Sequence, residues 1–176
     1  MADKVVLRAE LRARRRGAAG DVPAWPGFLA LLSAGLVVAS YVPIRGEADP
    51  AALERAALAA GCSLALPHVV DRATPLAFLA WDRAEPLADG PFGLRQPVLH
   101  GATLAPDIVL TPLVGFDRRG NRLGQGAGHY DRAFAAFPDA RRIGIALSVQ
   151  ETDRLAPDPW DVPLHAIATE REWIVP

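Results

Sequence analysis

Short apolar runs alternate with helix-length stretches along this chain, and that alternation limits its fold more than any other feature. Leu36 to Val42 is rich in valine and reads as a buried strand. Asp49-Pro50 predicts a helix start, because Asp is a good N-cap and Pro suits the first helical position; the helix runs to Ala60 and stops at Gly61. Leu64 to Leu66 is a short strand ending at Pro67, Leu76 to Trp81 is another, and Ile108 to Leu110 is a core strand. Ile143 to Leu147, Ala166 to Thr169 and Trp173 to Val175 complete the set. A first helix is expected over residues 2 to 16, a loop over 17 to 27, and a second helix over Phe28 to Ala34. Residues 82 to 106, rich in Pro, Gly and charge, read as a long surface loop with short extended pieces. The pattern predicts an α/β fold in three layers, a mostly parallel central sheet flanked by helices. Ligands of such sheets bind beyond the carboxyl ends of the strands. Glu47, Pro67, the 112–132 loop and the segment after Leu147 all follow strands and are expected to meet at one edge.

With 176 residues, no internal repeat and no long linker, residues 1–176 read as a single domain. The longest apolar run, Phe28 to Ser40, is broken by Ser33 and Gly35, so no membrane partner is expected. The charged N-terminus lacks an apolar signal core, and Cys62 is the only cysteine; both suit a cytoplasmic location. A formal charge of −1 argues against nucleic acid as a partner.

Residues 120 to 132, Gly-Asn-Arg-Leu-Gly-Gln-Gly-Ala-Gly-His-Tyr-Asp-Arg, carry the densest chemistry. Alternating Gly124, Gly126 and Gly128 let the backbone take φ > 0 and approach a ligand closely. Successive N–H groups can then hold an anion, and the helix expected to follow aims its N-terminus at the same place. Arg122 before the glycines, and Tyr130, Asp131 and Arg132 after them, complete a candidate nucleotide phosphate site. The same stretch also reads as a plain turn. It lacks the Gly-Lys-Ser/Thr end of a P-loop and the spacing of a dinucleotide fingerprint.

Pro112-Leu113-Val114-Gly115-Phe116-Asp117, Gly120, and Arg122-Leu123-Gly124-x-Gly126-x-Gly128-x-Tyr130-Asp131-Arg132 together resemble the signature of the 5-formyltetrahydrofolate cyclo-ligase (methenyltetrahydrofolate synthetase) family. The resemblance extends to Lys4-x-x-x-Arg8, to Val42 and Glu47, and to Asp161 with Thr169-Glu170. One departure stands at His129, where the family usually carries the first of two tyrosines. The resemblance implies conversion of 5-formyltetrahydrofolate to 5,10-methenyltetrahydrofolate with ATP and Mg²⁺. The formyl oxygen, a poor leaving group as hydroxide, is phosphorylated and leaves as phosphate when N10 attacks.

The site residues follow from that resemblance. Lys4, Arg8 and Arg122, with Leu123, Gly124, Gln125, Gly126, Ala127, Gly128, His129 and Tyr130, would bind ATP. Val42 and Glu47, with Gln125, Gly126, Gly128 and His129, would bind the folate, Glu47 accepting paired pterin N–H groups. Asp131 and Asp161 would hold Mg²⁺, which needs few carboxylates when phosphates and water share it. Arg122 and Tyr130 are the expected catalytic residues.

Each position also has a plainer reading. Lys4, Arg8, Arg12 and Arg15 share one helix face, and for Arg12 and Arg15 a solvated basic face is expected. Asp131 suits a first helical turn, Asp161 a loop, and Glu47 a solvated loop. Pro67, Phe78 and Trp81 could line an apolar folate slot or be core, and the role of Gln96-Pro97 is open. His68, His100 and His165 show no ligand spacing. Two competing functions are a non-catalytic nucleotide- or folate-binding protein of the same fold, motivated by His129 and the short chain, and RNA binding through the basic first helix.

Overall fold

In a computed structural model describing residues 4–98 and 101–176, the chain runs through α1 (Lys4–Arg16), α2 (Pro26–Leu29), β1 (Val37–Ala39), α3 (Ala51–Ala59), β2 (Ser63–His68) and β3 (Ala77–Ala80). The short pair β4 (Ala88–Asp89) and β5 (Arg95–Gln96) precedes β6 (Ile108–Pro112). A hairpin, β7 (Gly115–Phe116) and β8 (Arg122–Leu123), leads into α4 (His129–Ala136), then β9 (Arg141–Ile145), β10 (Ala166–Ala168) and β11 (Trp173–Ile174). Seven strands form one sheet in the order β11-β10-β9-β6-β1-β2-β3. The five central strands are mutually parallel and the two edge strands antiparallel.

The three expected layers follow from the period-two alternation of the strands. Ile108 and Leu110 pack with Phe28, Leu53 and Ala57 from α2 and α3. Val109, between them, packs on the other face with Ala133 and Phe134 of α4. Burying a side chain such as Phe28 or Leu53 contributes about 1.5–3 kcal/mol. α1 joins separately: Leu11 is fully buried among Val114, Leu123 and Leu155. Gly115 lets the helix come this near, since a Cβ there would lie 2.4 Å from Leu11 Cδ1.

Several boundaries differ from expectation. The second helix is Pro26–Leu29 rather than Phe28 to Ala34, because Pro26 starts it early and the chain continues in i→i+3 bonds, Leu31 to Phe28 and Leu32 to Leu29. β1 ends at Ala39, after which Ser40 Oγ donates to Glu54 and Tyr41 OH to the Ala48 carbonyl. Pro67 does not stop β2, which runs on to His68; Pro67 lies beyond Ala65, the last residue paired with β1. Asp49 is not the N-cap of α3: that position falls to Pro50, and Asp49, one residue earlier, accepts the Ala51 N–H at 2.9 Å. The 82–106 loop holds the β4–β5 pair, and buried Gln96 anchors it by accepting the Val69 N–H and donating to the Val69 carbonyl. His100 lies outside the described residues.

The β7–β8 hairpin delivers the glycine stretch. At its tip, the fully buried Asp117 carboxylate accepts the N–H groups of Arg119, Asn121 and Leu155 and the Asn121 side-chain amide at 2.9–3.1 Å. Among the described residues no helix is long and apolar enough to cross a membrane.

Candidate active site

The polar face of α1 lies along one side of a cavity of about 870 Å³, within the range of small-molecule sites. Lys4 Nζ stands 2.6 Å from Asp158 Oδ2 and 3.6 Å from Asp161 Oδ2. One turn on, Arg8 Nε donates to the Gly124 carbonyl at 2.9 Å. A further turn on, Arg12 Nη2 donates to Gln125 Oε1 at 2.5 Å, and Gln125 Nε2 donates to Glu47 Oε1 at 3.1 Å. The solvated basic face expected of Arg12 and Arg15 is not found. Arg12 lines the cavity, and Arg15 is 2% exposed, donating to the carbonyls of Leu113 and Arg45. Those carbonyls belong to segments remote in sequence, so helix spacing alone could not show the burial.

The glycine stretch forms the next wall. Gly126 (φ +101°) and Gly128 (φ +66°) take the left-handed region; Gly124 does not, so the expectation of φ > 0 fails at that one position. A Cβ on Gly124 would meet nothing within 4 Å, and one on Gly126 would face the Arg8 guanidinium at 3.6 Å. Gly128 is the N-cap of α4, and no side chain caps that helix. Its first N–H groups therefore remain available for an anion.

Arg122 and Asp131 meet as an ion pair, with the Arg122 side chain 6% exposed. Arg122 Nη1 also donates to the Val162 carbonyl at 2.5 Å, and its guanidinium stands 4.6 Å from the centre of the Phe134 ring. The Val162 N–H, adjacent to Asp161, points at Asp131 Oδ1 at 3.5 Å. Asp131 and Asp161, 30 residues apart in sequence, thus line the same cavity. Tyr130 packs on Phe134, and burial, with Glu47 nearby, pushes its phenol far above the usual range; it stays a neutral donor. Burial raises the Glu47 carboxyl, while the Ile44 N–H and the Gln125 amide oppose the rise. His129 Nδ1 accepts from Arg132 Nη2 at 3.1 Å, since a guanidinium can only donate. Burial, then Arg132 and Arg72, hold this imidazole below its ordinary pKa, against Asp71.

Val42, Glu47, Pro67, Pro112, Leu123 and the 124–131 stretch all line this cavity, as do Asp158 and Asp161. The expected convergence beyond the strand ends is therefore present. Phe78 and Trp81 are not part of the lining; Phe78 is fully buried against Phe137 and Trp81 packs with the α2–α3 core.

The 5-formyltetrahydrofolate cyclo-ligase family model matches residues 28–170. The chain belongs to the 5-formyltetrahydrofolate cyclo-ligase family. It is 32% identical over 186 aligned positions to the 5-formyltetrahydrofolate cyclo-ligase of Mycolicibacterium smegmatis, covering 98% of this chain and 96% of that one. The match to the Haemophilus influenzae 5-formyltetrahydrofolate cyclo-ligase, 39% identical over 98 residues, spans about half of each, 52%. The fold is similar to the Aquifex aeolicus 5,10-methenyltetrahydrofolate synthetase, with a TM-score of 0.75 and 27% identity over 98% of this chain and 92% of that one. Membership makes the chain an enzyme, a ligase of folate one-carbon chemistry.

Of the residues that line this cavity, sequence reading gave Arg12 only a solvated place and named no role for Asp158, Trp160, Phe92 and Arg72. Two had a signal: Arg12 continues the four-residue spacing of Lys4 and Arg8, and Asp158 stands three residues before Asp161 across a turn. Phe92, at φ +62° in the 82–106 loop, had none.

Proposed function

We propose that this cavity converts 5-formyltetrahydrofolate to 5,10-methenyltetrahydrofolate with ATP and Mg²⁺, releasing ADP and phosphate. The observation that carries the reading is the convergence on one cavity of the α1 cations, the open glycine loop, Asp131 with Asp161, and Val42 with Glu47. Glu47 accepts the pterin N–H groups, held in place by Ile44 and Gln125. Val42 and Pro67 supply apolar wall. Lys4, Arg8 and the amides of residues 124 to 128 hold the phosphates, Arg8 already being fixed on Gly124. Arg122 is the cation beside the transferred phosphoryl, and its pair with Asp131 fixes where that charge stands. Tyr130 donates its hydroxyl proton to a phosphate or formyl oxygen. His129, with Nδ1 engaged by Arg132, keeps its other nitrogen as a buried N–H with no partner in the protein.

The donor set suits a divalent cation: Asp131 and Asp161 are hard oxygen ligands on one wall. Among the described residues no three acidic, His or Cys side chains form a self-sufficient metal cage, so Asp131 and Asp161 would hold the ion together with nucleotide phosphates. The chemistry such an ion would supply there is neutralisation of phosphate charge. The protein's own share is positioning and electrostatics, as elsewhere in phosphoryl transfer. N10 attacks the formyl carbon, the bond from that carbon to the phosphorylated oxygen breaks, phosphate departs with the electron pair, and the N10 proton leaves with it. No covalent protein nucleophile is needed. The buried free Cys62 belongs to the α2–α3 core, in keeping with a cytoplasmic enzyme.

The test is ATP-dependent formation of methenyltetrahydrofolate, followed by its near-ultraviolet absorbance, with and without Mg²⁺. Turnover requiring both ATP and the metal is expected. Nucleotide and folate binding without turnover would establish the non-catalytic alternative.

A further inference from the structure

One side chain at the cavity rim has no part in these roles. Trp160 lines the cavity and is 68% exposed. A lone exposed aromatic is ordinary on a protein surface, but this one lines the cavity, where its apolar face is offered to a ligand. Its backbone is held firmly. The Asp161 N–H donates to the Asp158 carbonyl at 3.0 Å, Pro159 takes the second position of that turn, and the Asp158 N–H donates back to Asp161 Oδ2 at 2.8 Å. That turn thus carries the indole on the segment that also supplies the two carboxylates that Lys4 meets.

Helix α1 supplies a direction. Lys4, Arg8 and Arg12 lie on one face, spanning about 12 Å at 1.5 Å per residue. At one end Lys4 meets Asp158 and Asp161, in the middle Arg8 meets the glycine loop, and at the other end Arg12 reaches Glu47 through Gln125. With the pterin at Glu47, the transferred phosphoryl must meet the formyl oxygen on that side. The triphosphate then points toward Glu47 and the base points back past Lys4, where Trp160 stands. We propose that Trp160 is the stacking platform for the adenine ring of the bound nucleotide. The placement rests on the cyclo-ligase reading, which sets the direction of the phosphates.

Stacking of a base on an aromatic side chain is sequence-tolerant and substantial. Trp160→Ala is expected to raise KM for ATP about tenfold while kcat falls far less and KM for 5-formyltetrahydrofolate stays within about twofold; Trp160→Phe restores most of the ATP affinity. As a binding readout independent of turnover, ADP should quench tryptophan emission of the wild type and leave that of Trp160→Phe unchanged. A folded Trp160→Ala enzyme with unaltered KM for ATP overturns the platform. So does a KM rise confined to the folate, which would put the indole on that substrate. A wild type that lacks turnover yet shows ADP quenching lost in Trp160→Phe keeps the platform and overturns only the reaction.

Discussion

The β7–β8 hairpin and the loop that follows it are contiguous, both are glycine-rich, and they use glycine in opposite ways. In the hairpin a Cβ on Gly115 would strike Leu11, and one on Gly120 would lie 2.8 Å from the Leu164 carbonyl. In the loop a Cβ on Gly124 meets nothing, and one on Gly126 meets only the Arg8 guanidinium. The polar groups divide the same way. Asp117 is fully buried and satisfied by four donors within the protein, whereas the start of α4 has no side-chain cap. One sequence signature therefore encodes a packed support and an open ligand cradle side by side. Damage to the support should appear as lost stability, and damage to the cradle as lost binding.

The largest effect belongs to the junction, where both uses meet. Arg122 stands on β8 with its guanidinium buried on Asp131. Arg122→Ala should lower turnover by on the order of two to three powers of ten, the scale for removing one preorganised electrostatic group. It should also lower unfolding stability by about 3 kcal/mol, because Asp131 loses its buried partner. Rate and urea unfolding measured on the same preparation separate the two. Near wild-type turnover in a folded variant would remove Arg122 from the mechanism.

Asp117→Ala should act on the support alone. The buried Leu155 N–H loses its acceptor, at about 1–3 kcal/mol for a buried group left unpaired, while the three part-buried donors can turn to water; a stability loss of up to about 3 kcal/mol is expected, with the KM of the folded fraction for ATP little changed. A rise in KM for ATP without destabilisation would break the division between hairpin and loop. Gly126→Val is the converse. A β-branched residue at φ +101° is strained and crowds Arg8. ATP affinity measured by calorimetry should fall about tenfold, some 1.4 kcal/mol, and folate affinity should fall less. Unchanged ATP binding would mean the loop is a turn and not a cradle.

These contrasts also mark what could be read from sequence. The alternating strands and helices, the layers and the meeting of Glu47, the glycine loop and Asp161 were legible, because valine-rich strands and helix starts are local signals that the topology then assembles. The β7–β8 hairpin was not, because two-residue strands carry no periodicity. Arg15 was misread because four cations on one helix face look alike; the Leu113 and Arg45 carbonyls that bury one of them come from elsewhere in the chain. The Arg122–Asp131 pair was hidden for a similar reason. Each residue matched a family position, but that the cation and the carboxylate hold each other is a fact of the folded chain.

His129 tests the cradle from its helical side. If Arg132 has made the imidazole part of the site, His129→Tyr removes the ring acceptor that takes Arg132 Nη2. The catalytic efficiency of the folded variant should then drop a few-fold, within the cost of one hydrogen bond, about 0.5–1.5 kcal/mol. An improvement would show instead that histidine is only a weakened stand-in for the family tyrosine.

The smallest effect should come from the exposed tip of the cradle, where it touches the folate end. Gln125 donates one N–H to Glu47 and accepts from Arg12. Burial holds the Glu47 carboxyl above its usual range, and the Gln125 amide is one of two hydrogen-bond donors working against that rise. Glu47 must be ionised to accept the pterin N–H groups, so kcat/KM for 5-formyltetrahydrofolate should fall as pH drops through its pKa. Gln125→Ala removes a donor that favours the charged form, so the pKa should rise further and the acid limb should move toward neutral pH. Unfolding stability should barely change, since the residue is exposed and serves the cradle. A limb displaced to lower pH would reverse the sign required by that hydrogen bond. An unmoved limb accompanied by lost stability would place Gln125 with the support instead, and the boundary between the two regions would have to be drawn after residue 125.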